Sequence, residues 1–310
     1  MEVIHLDVQD NTVYEPAVIC VGYFDGLHRG HMTLIRKTLQ AAAERNRKSA
    51  LFTFDPDPAV TVAGARDIRH ITPLAEKLRL LDETGIDIVY ILSFTKETSQ
   101  LSHQDFTSFF VRTLRPEAII CGFDYHYGMG GRGTYETLRQ ETVCPVYVIE
   151  SVDESGTKIS STRIIQCIQR GDVKEASILL GRYYSVSGKV VHGRGKGHLY
   201  GFPTANVHIE HEYIRPMPGV YSGYLTVNGI SYKSMINIGH NPTYNYRSHL
   251  SVEAHILDFS DDIYEEEVRV AFVDFMRPER RFGSADELLE QLGKDRERVR
   301  EELPCTMKNS

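Results

Sequence analysis

Residues 20–31 read Cys-Val-Gly-Tyr-Phe-Asp-Gly-Leu-His-Arg-Gly-His, and His28 and His31 are the side chains in this stretch best suited to chemistry. Spaced three apart at a helix start, they point in roughly one direction. Two imidazoles aimed at one phosphorus can donate hydrogen bonds to oxygens whose charge grows during transfer. Gly22, Gly26 and Gly30 keep side chains away from the backbone around Phe24 and Asp25, so a polyphosphate can approach it closely. A second anion-friendly stretch is Ser160-Ser161-Thr162, which offers hydroxyls and amides at a helix start, with Arg163 beside it. A third is His192 to Asn206, where Gly193, Gly195 and Gly197 alternate with Arg194 and Lys196 in a pliable, electropositive loop. Thr204 and Asn206 are alternate residues, so in an extended segment both face one side. Their oxygens are of the kind that Mg²⁺ prefers. Glu253 lies on a strand-like run, Ser251–Phe259, where it shares a face with His255 and Leu257, opposite Val252, Ala254 and Ile256.

The elements that must position these residues alternate in the first half. Ala17–Val21, Ala50–Phe54, Ile86–Phe94, Ala118–Cys121 and Val146–Val152 are short apolar runs rich in Val and Ile. Helical patterns lie between them. One is His31–Arg45, with Leu34, Ile35, Thr38, Leu39 and Ala42 on one face. Another takes Thr72 as its cap and Pro73 as its first position. A third starts at Ser102 and gathers Phe106, Phe109, Phe110 and Leu114. Strands buried on both faces, each followed by a helix, predict a Rossmann-like parallel sheet of α/β type. After Gly181 the pattern changes to strands and turns. Val220–Val227, Asn228-Gly229 and Ile230–Ile238 predict a hairpin with a type I′ turn. Ser251–Phe259 and Val268–Met276 add strands, and Ser284–Leu303 closes the pattern as an amphipathic helix. This half is expected to be an antiparallel β-barrel with a C-terminal helix. The expected domains are 1–183 and 184–310.

Bulk properties set limits on the chemistry. A chain of 310 residues suits two domains, and 41% hydrophobic with 25% charged residues is ordinary for a soluble globular protein. A net charge of −7 and the lack of any dense Lys/Arg tract argue against nucleic acid as a partner. Five scattered cysteines without a Cys-x-x-Cys pair predict reduced thiols and a cytoplasmic location. No basic-then-apolar leader and no membrane-length apolar run are present, so no membrane partner is expected.

Residues 22–31 resemble the Gly-x-Phe-Asp-Gly-x-His-x-Gly-His signature of nucleotidyltransferases with the histidine-glycine-histidine motif. More closely, the chain is similar to the prokaryotic bifunctional riboflavin kinase/FAD synthetases, whose second activity is FMN adenylyltransferase. Phe52–Pro58, Gly122-Phe-Asp-Tyr-His-Tyr-Gly128 and Ile159-Ser-Ser-Thr-Arg-Ile164 carry the first half of this resemblance. Gly201-Phe-Pro-Thr-Ala-Asn206, Met235–Thr243 and Val252–Phe259 carry the second. The resemblance implies that ATP phosphorylates riboflavin to FMN, and that a second ATP adenylylates FMN to FAD with release of pyrophosphate. It implies that Gly22, Phe24, Asp25, Gly26, Ser160, Ser161, Thr162 and Arg163 bind ATP phosphates, with His28 and His31 catalytic and Asp124 on the flavin. For the kinase it implies an ATP loop of Gly193, Gly195, Lys196 and Gly197, Mg²⁺ on Thr204 and Asn206, and Glu253 taking the proton of the ribityl 5′-hydroxyl. A monomer or weak homo-oligomer with small-molecule partners is expected. Two positions depart from the family pattern: Asp57 stands where histidine is usual, and Ile165 where arginine is usual. They leave open a kinase with a weak or specialised adenylyltransferase half. A non-catalytic flavin- or nucleotide-binding regulator is the other alternative.

Overall fold

The apolar runs of the N-terminal half are strands of one six-stranded sheet, with every ladder parallel. The computed structural model describes residues 1–9, 11–64, 68–193, 201–239 and 251–304. In chain order the first unit contains β1 (Glu2–Leu6), β2 (Ala17–Val21), α1 (Arg29–Arg45), β3 (Lys48–Asp55), α2 (Pro58–Ala63), α3 (Leu74–Asp82) and β4 (Ile88–Ser93). It continues through α4 (Lys96–Gln100), α5 (His103–Leu114), β5 (Pro116–Gly122), α6 (Tyr135–Glu141) and β6 (Val146–Ile149) to a small hairpin, β7 (Asp153–Glu154) and β8 (Thr157–Lys158).

The sheet runs β1-β4-β3-β2-β5-β6. Alternate residues of the same strands feed two cores. Ile19, Phe52 and Tyr90 pack with Phe106 and Phe110 of α5, while Val18, Leu51 and Val89 pack with Leu34 and Ile35 of α1. Such two-sided burial is why these strands read as continuous apolar runs. β1 is additional to the expected strands; only Leu6 of its five residues is buried, so it carries no apolar run. The expected start of α3 is corrected. Pro73 takes the N-cap position without a side-chain cap, and Thr72 Oγ1 accepts instead from the Gly26 N–H at 2.8 Å. A tertiary contact has claimed the hydroxyl that local sequence assigns to capping.

The second unit contains α7 (Ser161–Gln169), α8 (Val173–Leu180), β9 (Tyr184–Val191), β10 (Ala205–His208), β11 (Gly219–Val227) and β12 (Ile230–Gly239), then β13 (Ser251–Ile256), β14 (Glu267–Arg277) and α9 (Ala285–Glu302). Its strands close into an antiparallel barrel in the order β10-β13-β12-β11-β14-β9. Asn228 and Gly229 both have positive φ, 50° and 77°, as a type I′ hairpin requires. Ser284 caps α9 by accepting from Glu287 N–H, and Val299 and Leu303 bury against Phe202, Tyr224 and Met235.

By compactness the chain divides between Ser160 and Ser161, earlier than the expected 183/184. The difference is α7 and α8, which pack with the barrel. Met217 N–H donates to Ile168 O at 3.3 Å, Lys174 pairs with Asp274 of β14 at 3.6 Å, and Val173, Leu179 and Leu180 are buried.

Candidate active sites

The parallel sheet reverses its order at β2, which has β3 on one side and β5 on the other. Ligands of open α/β sheets bind in the crevice beyond such a switch point. Residues 22–28 leave β2 there and lead into α1. His28 is the N-cap residue of α1, and its Nδ1 accepts from the His31 N–H at 3.3 Å. An imidazole that accepts at Nδ1 carries its proton on Nε2, as a donor. The His28 and His31 rings stack with centroids 3.6 Å apart and planes 13° from parallel, and the Phe24 ring meets His31 edge-on at 5.2 Å. Gly30 makes room for this pair, because an added Cβ would lie 3.1 Å from His28 Cε1 and Nδ1. The helix N-terminus beneath the rings favours an anion.

The loop is pinned from behind. Buried Asp25 accepts from Ile71 N at 3.2 Å, Thr72 N at 3.0 Å and Thr72 Oγ1 at 3.4 Å. The Gly22 N–H donates to Phe52 O at 3.2 Å, and that of Gly26 to Thr72 Oγ1. At these two glycines a ligand therefore gains proximity rather than an N–H donor. Phe24, with φ of 59° and a buried ring, turns the chain between them.

The neighbouring strand β5 ends at Gly122 and releases a second loop. Asp124 pairs there with Lys158 at 2.5 Å, and the Lys158 ammonium lies 4.5 Å over the Phe123 ring. Tyr127 anchors the far end: Thr107 donates to its hydroxyl at 3.2 Å, and that hydroxyl donates to Glu141 at 3.2 Å. Asp57 has a structural task of its own, capping α2 by accepting from Ala59 N–H at 2.7 Å. Ser160 precedes α7, which Ser161 opens. Arg163 is engaged by Glu175 of α8 at 2.5 Å, and Ile165 is half-buried.

In the barrel, Asn206 of β10 stands directly opposite Glu253 of β13, which stands directly opposite Asn237 of β12. Directly opposed residues project from one face, so the three form a polar row across three strands. The next row, Val207, Val252 and Ile238, is buried. Asn237 was not among the expected site residues; it lies within a recognisable segment, but only the register puts it beside Glu253. Nearby, His255 Nδ1 hydrogen-bonds Pro203 O at 2.8 Å and so holds the segment before Thr204 against β13. Burial pushes the His255 pKa below its ordinary value, so the ring is the neutral donor in this contact. A cavity of about 490 Å³ is lined by Val190, Thr204, Ala205, Ala254, Ile256 and Tyr264; Ala254 and Ile256 lie on the face of β13 opposite Glu253, and no member of the polar row lines it. His192 stacks on Tyr264 at 3.9 Å. Gly195, Lys196 and Gly197 lie outside the described residues.

The donors fit a hard cation. Gly193 lets the Asn206 amide lie against the backbone, since a Cβ there would come 2.1 Å from Asn206 Nδ2. Thr204 and Asn206 each have a side-chain oxygen to offer a ligand of this kind, which suits Mg²⁺ keeping several waters. Among the described residues no group of three or more His, Cys, Asp or Glu side chains is gathered that could hold a metal ion.

Two family models match the chain, FAD synthetase over residues 10–163 and riboflavin kinase over residues 180–303. A bifunctional riboflavin kinase/FMN adenylyltransferase from Listeria monocytogenes is 37% identical over 91% of each chain, and one from Bacillus subtilis is 33% identical over 96% of each. A crystal structure described as a macrolide-efflux protein from Streptococcus pneumoniae matches with a TM-score of 0.91 at 33% identity, covering 97% of this chain and 99% of that one. No helix among the described residues is long and apolar enough to cross a membrane. The two modules, in this order and over this length, place the chain in the bifunctional riboflavin kinase/FMN adenylyltransferase family.

Proposed function

We propose that this chain makes FAD in two ATP-dependent steps. The barrel phosphorylates riboflavin to FMN, and the parallel-sheet unit joins FMN to the AMP of a second ATP, releasing pyrophosphate. The observation that carries the reading is the barrel register. It sets Asn206 and Glu253, from two distant segments, directly opposite each other, with Thr204 two residues before Asn206.

In the kinase step Glu253 accepts the proton of the ribityl 5′-hydroxyl as that oxygen attacks the γ-phosphorus, and ADP leaves. Thr204 and Asn206 hold Mg²⁺, which neutralises phosphate charge when bound. Gly193, Gly195, Lys196 and Gly197 wrap the polyphosphate. In the second step an FMN phosphate oxygen attacks the α-phosphorus of ATP. His28, through Nε2–H, and His31 donate to the oxygens where charge builds. Gly22, Phe24, Asp25 and Gly26 shape the loop that admits the phosphates. Ser160, Ser161, Thr162 and Arg163 bind phosphate, and Asp124 contacts the flavin once Lys158 yields. Neither step needs a covalent enzyme intermediate, because positioning and charge stabilisation supply the rate. The catalytic modules divide near 183/184, with α7 and α8 as a structural annexe of the barrel. The protein works in the cytoplasm on small molecules, without nucleic acid, as a monomer or weak homo-oligomer; the four described cysteines are all free thiols, which supports that location.

A second reading, a kinase with a weak adenylyltransferase half, is favoured by the Arg163–Glu175 pair and by Ile165, which can only pack. Incubation with riboflavin, ATP and Mg²⁺, followed by separation of the flavins, decides between them. FAD as the end product supports the two-step reading, FMN alone supports the second, and no conversion overturns both.

A further inference from the structure

Lys77 lies on α3 between Glu76 and Leu78, a setting that reads as helix surface, yet only 2% of it is exposed. Its ammonium donates to Tyr23 O at 2.7 Å and sits 4.1 Å over the Tyr23 ring. Thr53 Oγ1 on β3 donates to the same carbonyl at 3.0 Å. Tyr23 is the residue between Gly22 and Phe24, so both donors fix the peptide from which the left-handed turn at Phe24 starts. One turn earlier, Ile71 and Thr72 hold Asp25 and Gly26. The entry and first turn of α3 therefore clasp the whole loop from its inner side.

We infer that Lys77 is a positioning residue for adenylyl transfer, setting the Gly22–Gly26 loop through Tyr23 and balancing the carboxylates that surround it. The inference rests on the adenylyltransferase reading of this unit. The charged groups facing the ammonium are Asp25 in the loop, Asp55 at the end of β3 and Asp57 at the cap of α2, all of which favour its protonated form. The Tyr23 hydroxyl and His70 lie within the same group, 3.4 Å from each other, and His70 is 3.7 Å from Asp57. On its own helix Glu76 is taken up by Arg79 at 2.9 Å. Without the ammonium, three carboxylates would act unbalanced on a loop that has to accept a polyanion. ATP affinity should suffer more than the kinase chemistry of the barrel, which shares none of these groups.

Burial outweighs the carboxylates and draws the Lys77 pKa down to about 8, so the charge is present at neutral pH and lost as pH rises through that value. The test uses the full chain, with FMN and Mg²⁺ supplied and ATP titrated from about pH 6.5 to 9.5, and riboflavin phosphorylation by the same preparation as the reference. The wild type should show kcat/KM for ATP in FAD formation falling along an alkaline limb near pH 8 that the kinase reaction lacks, with KM rather than kcat carrying the fall. Lys77→Arg keeps its charge and should move this limb upward. Lys77→Met should lose about ten- to a hundredfold in kcat/KM at neutral pH, with no limb in this range. A limb at the same pH in Lys77→Arg, or wild-type FAD kinetics in Lys77→Met, overturns the inference. Should Lys77→Met fail to fold, the wild-type and Lys77→Arg profiles decide alone. A wild type that makes FAD without the limb overturns this inference only, whereas one that makes no FAD at any pH overturns the adenylyltransferase reading as well.

Discussion

His28 does with one ring what other helices divide between two residues. Its Nδ1 closes the end of α1, a task that usually falls to Ser, Thr, Asp or Asn, while the protonated Nε2 belongs to the proposed chemistry. His28→Ala and His31→Ala should each lower FAD formation roughly a hundredfold or more and leave FMN formation intact. His28→Asn restores a cap, so it should recover the melting temperature of the wild type without its rate. Wild-type FAD output from both alanine variants would show that these rings only finish a helix. In the barrel, Glu253→Gln keeps size and removes the proposed base. FMN formation should fall by about a hundred- to ten-thousandfold, while FAD formation from supplied FMN persists; equal loss of both activities in a folded protein would refute separate sites. His28, His31 and Glu253 could be named as candidates from the sequence because short motifs hold them. Lys77 and Asn237 were not. A lysine beside a glutamate reads as solvent-facing, and an asparagine in a strand gains meaning only from its neighbours across the ladder.

Elements were legible where one periodicity dominated. β2, whose five residues are all buried, and α5, with Phe106, Phe109, Phe110 and Leu114 on one side, stand where the apolar patterns put them. β1 and β10 escaped because one has a single buried residue and the other is only four residues long. The cap of α3 misled for a different reason, since Thr72 spends its hydroxyl on Gly26 and Asp25. The start of α1 permits a test that separates stability from function. Replacing glycine by alanine inside a helix stabilises it by up to about 1 kcal/mol. At Gly30 the new methyl would press on His28 at 3.1 Å. Gly30→Ala should therefore leave the melting temperature equal or higher while FAD formation drops; a stable variant with full FAD activity would show that the His28–His31 stack tolerates displacement.

At the scale of the molecule, sequence patterning marks where sheet gives way to barrel but not where the compact units part, because α7 and α8 look like any other helices of an α/β domain. Their buried faces tell otherwise. A chain beginning at Ser161 should fold and phosphorylate riboflavin. One beginning at Tyr184 loses Val173, Leu179 and Leu180 from its core, a cost on the order of 5 kcal/mol. Urea unfolding of the two fragments measures the difference, and equal midpoints would mean that α8 is dispensable.

The order of the strands also bears on how the chain emerges from a ribosome. β1 pairs with β4 rather than β2, and β9 is held by β14 as well as by β10. Glu2–Leu6 must therefore wait for Ile88–Ser93, and one edge of Tyr184–Val191 for Glu267–Arg277. At about 5–20 residues per second each wait lasts several seconds. The two waiting strands are poor in continuous apolar surface: β1 buries only Leu6, and β9 alternates buried and half-buried positions, with Ser185, Ser187 and Lys189 on the wetter side. β2, the wholly apolar strand, finds β3 as soon as α1 has been made. The segments most prone to stick are thus those with the shortest time to do so.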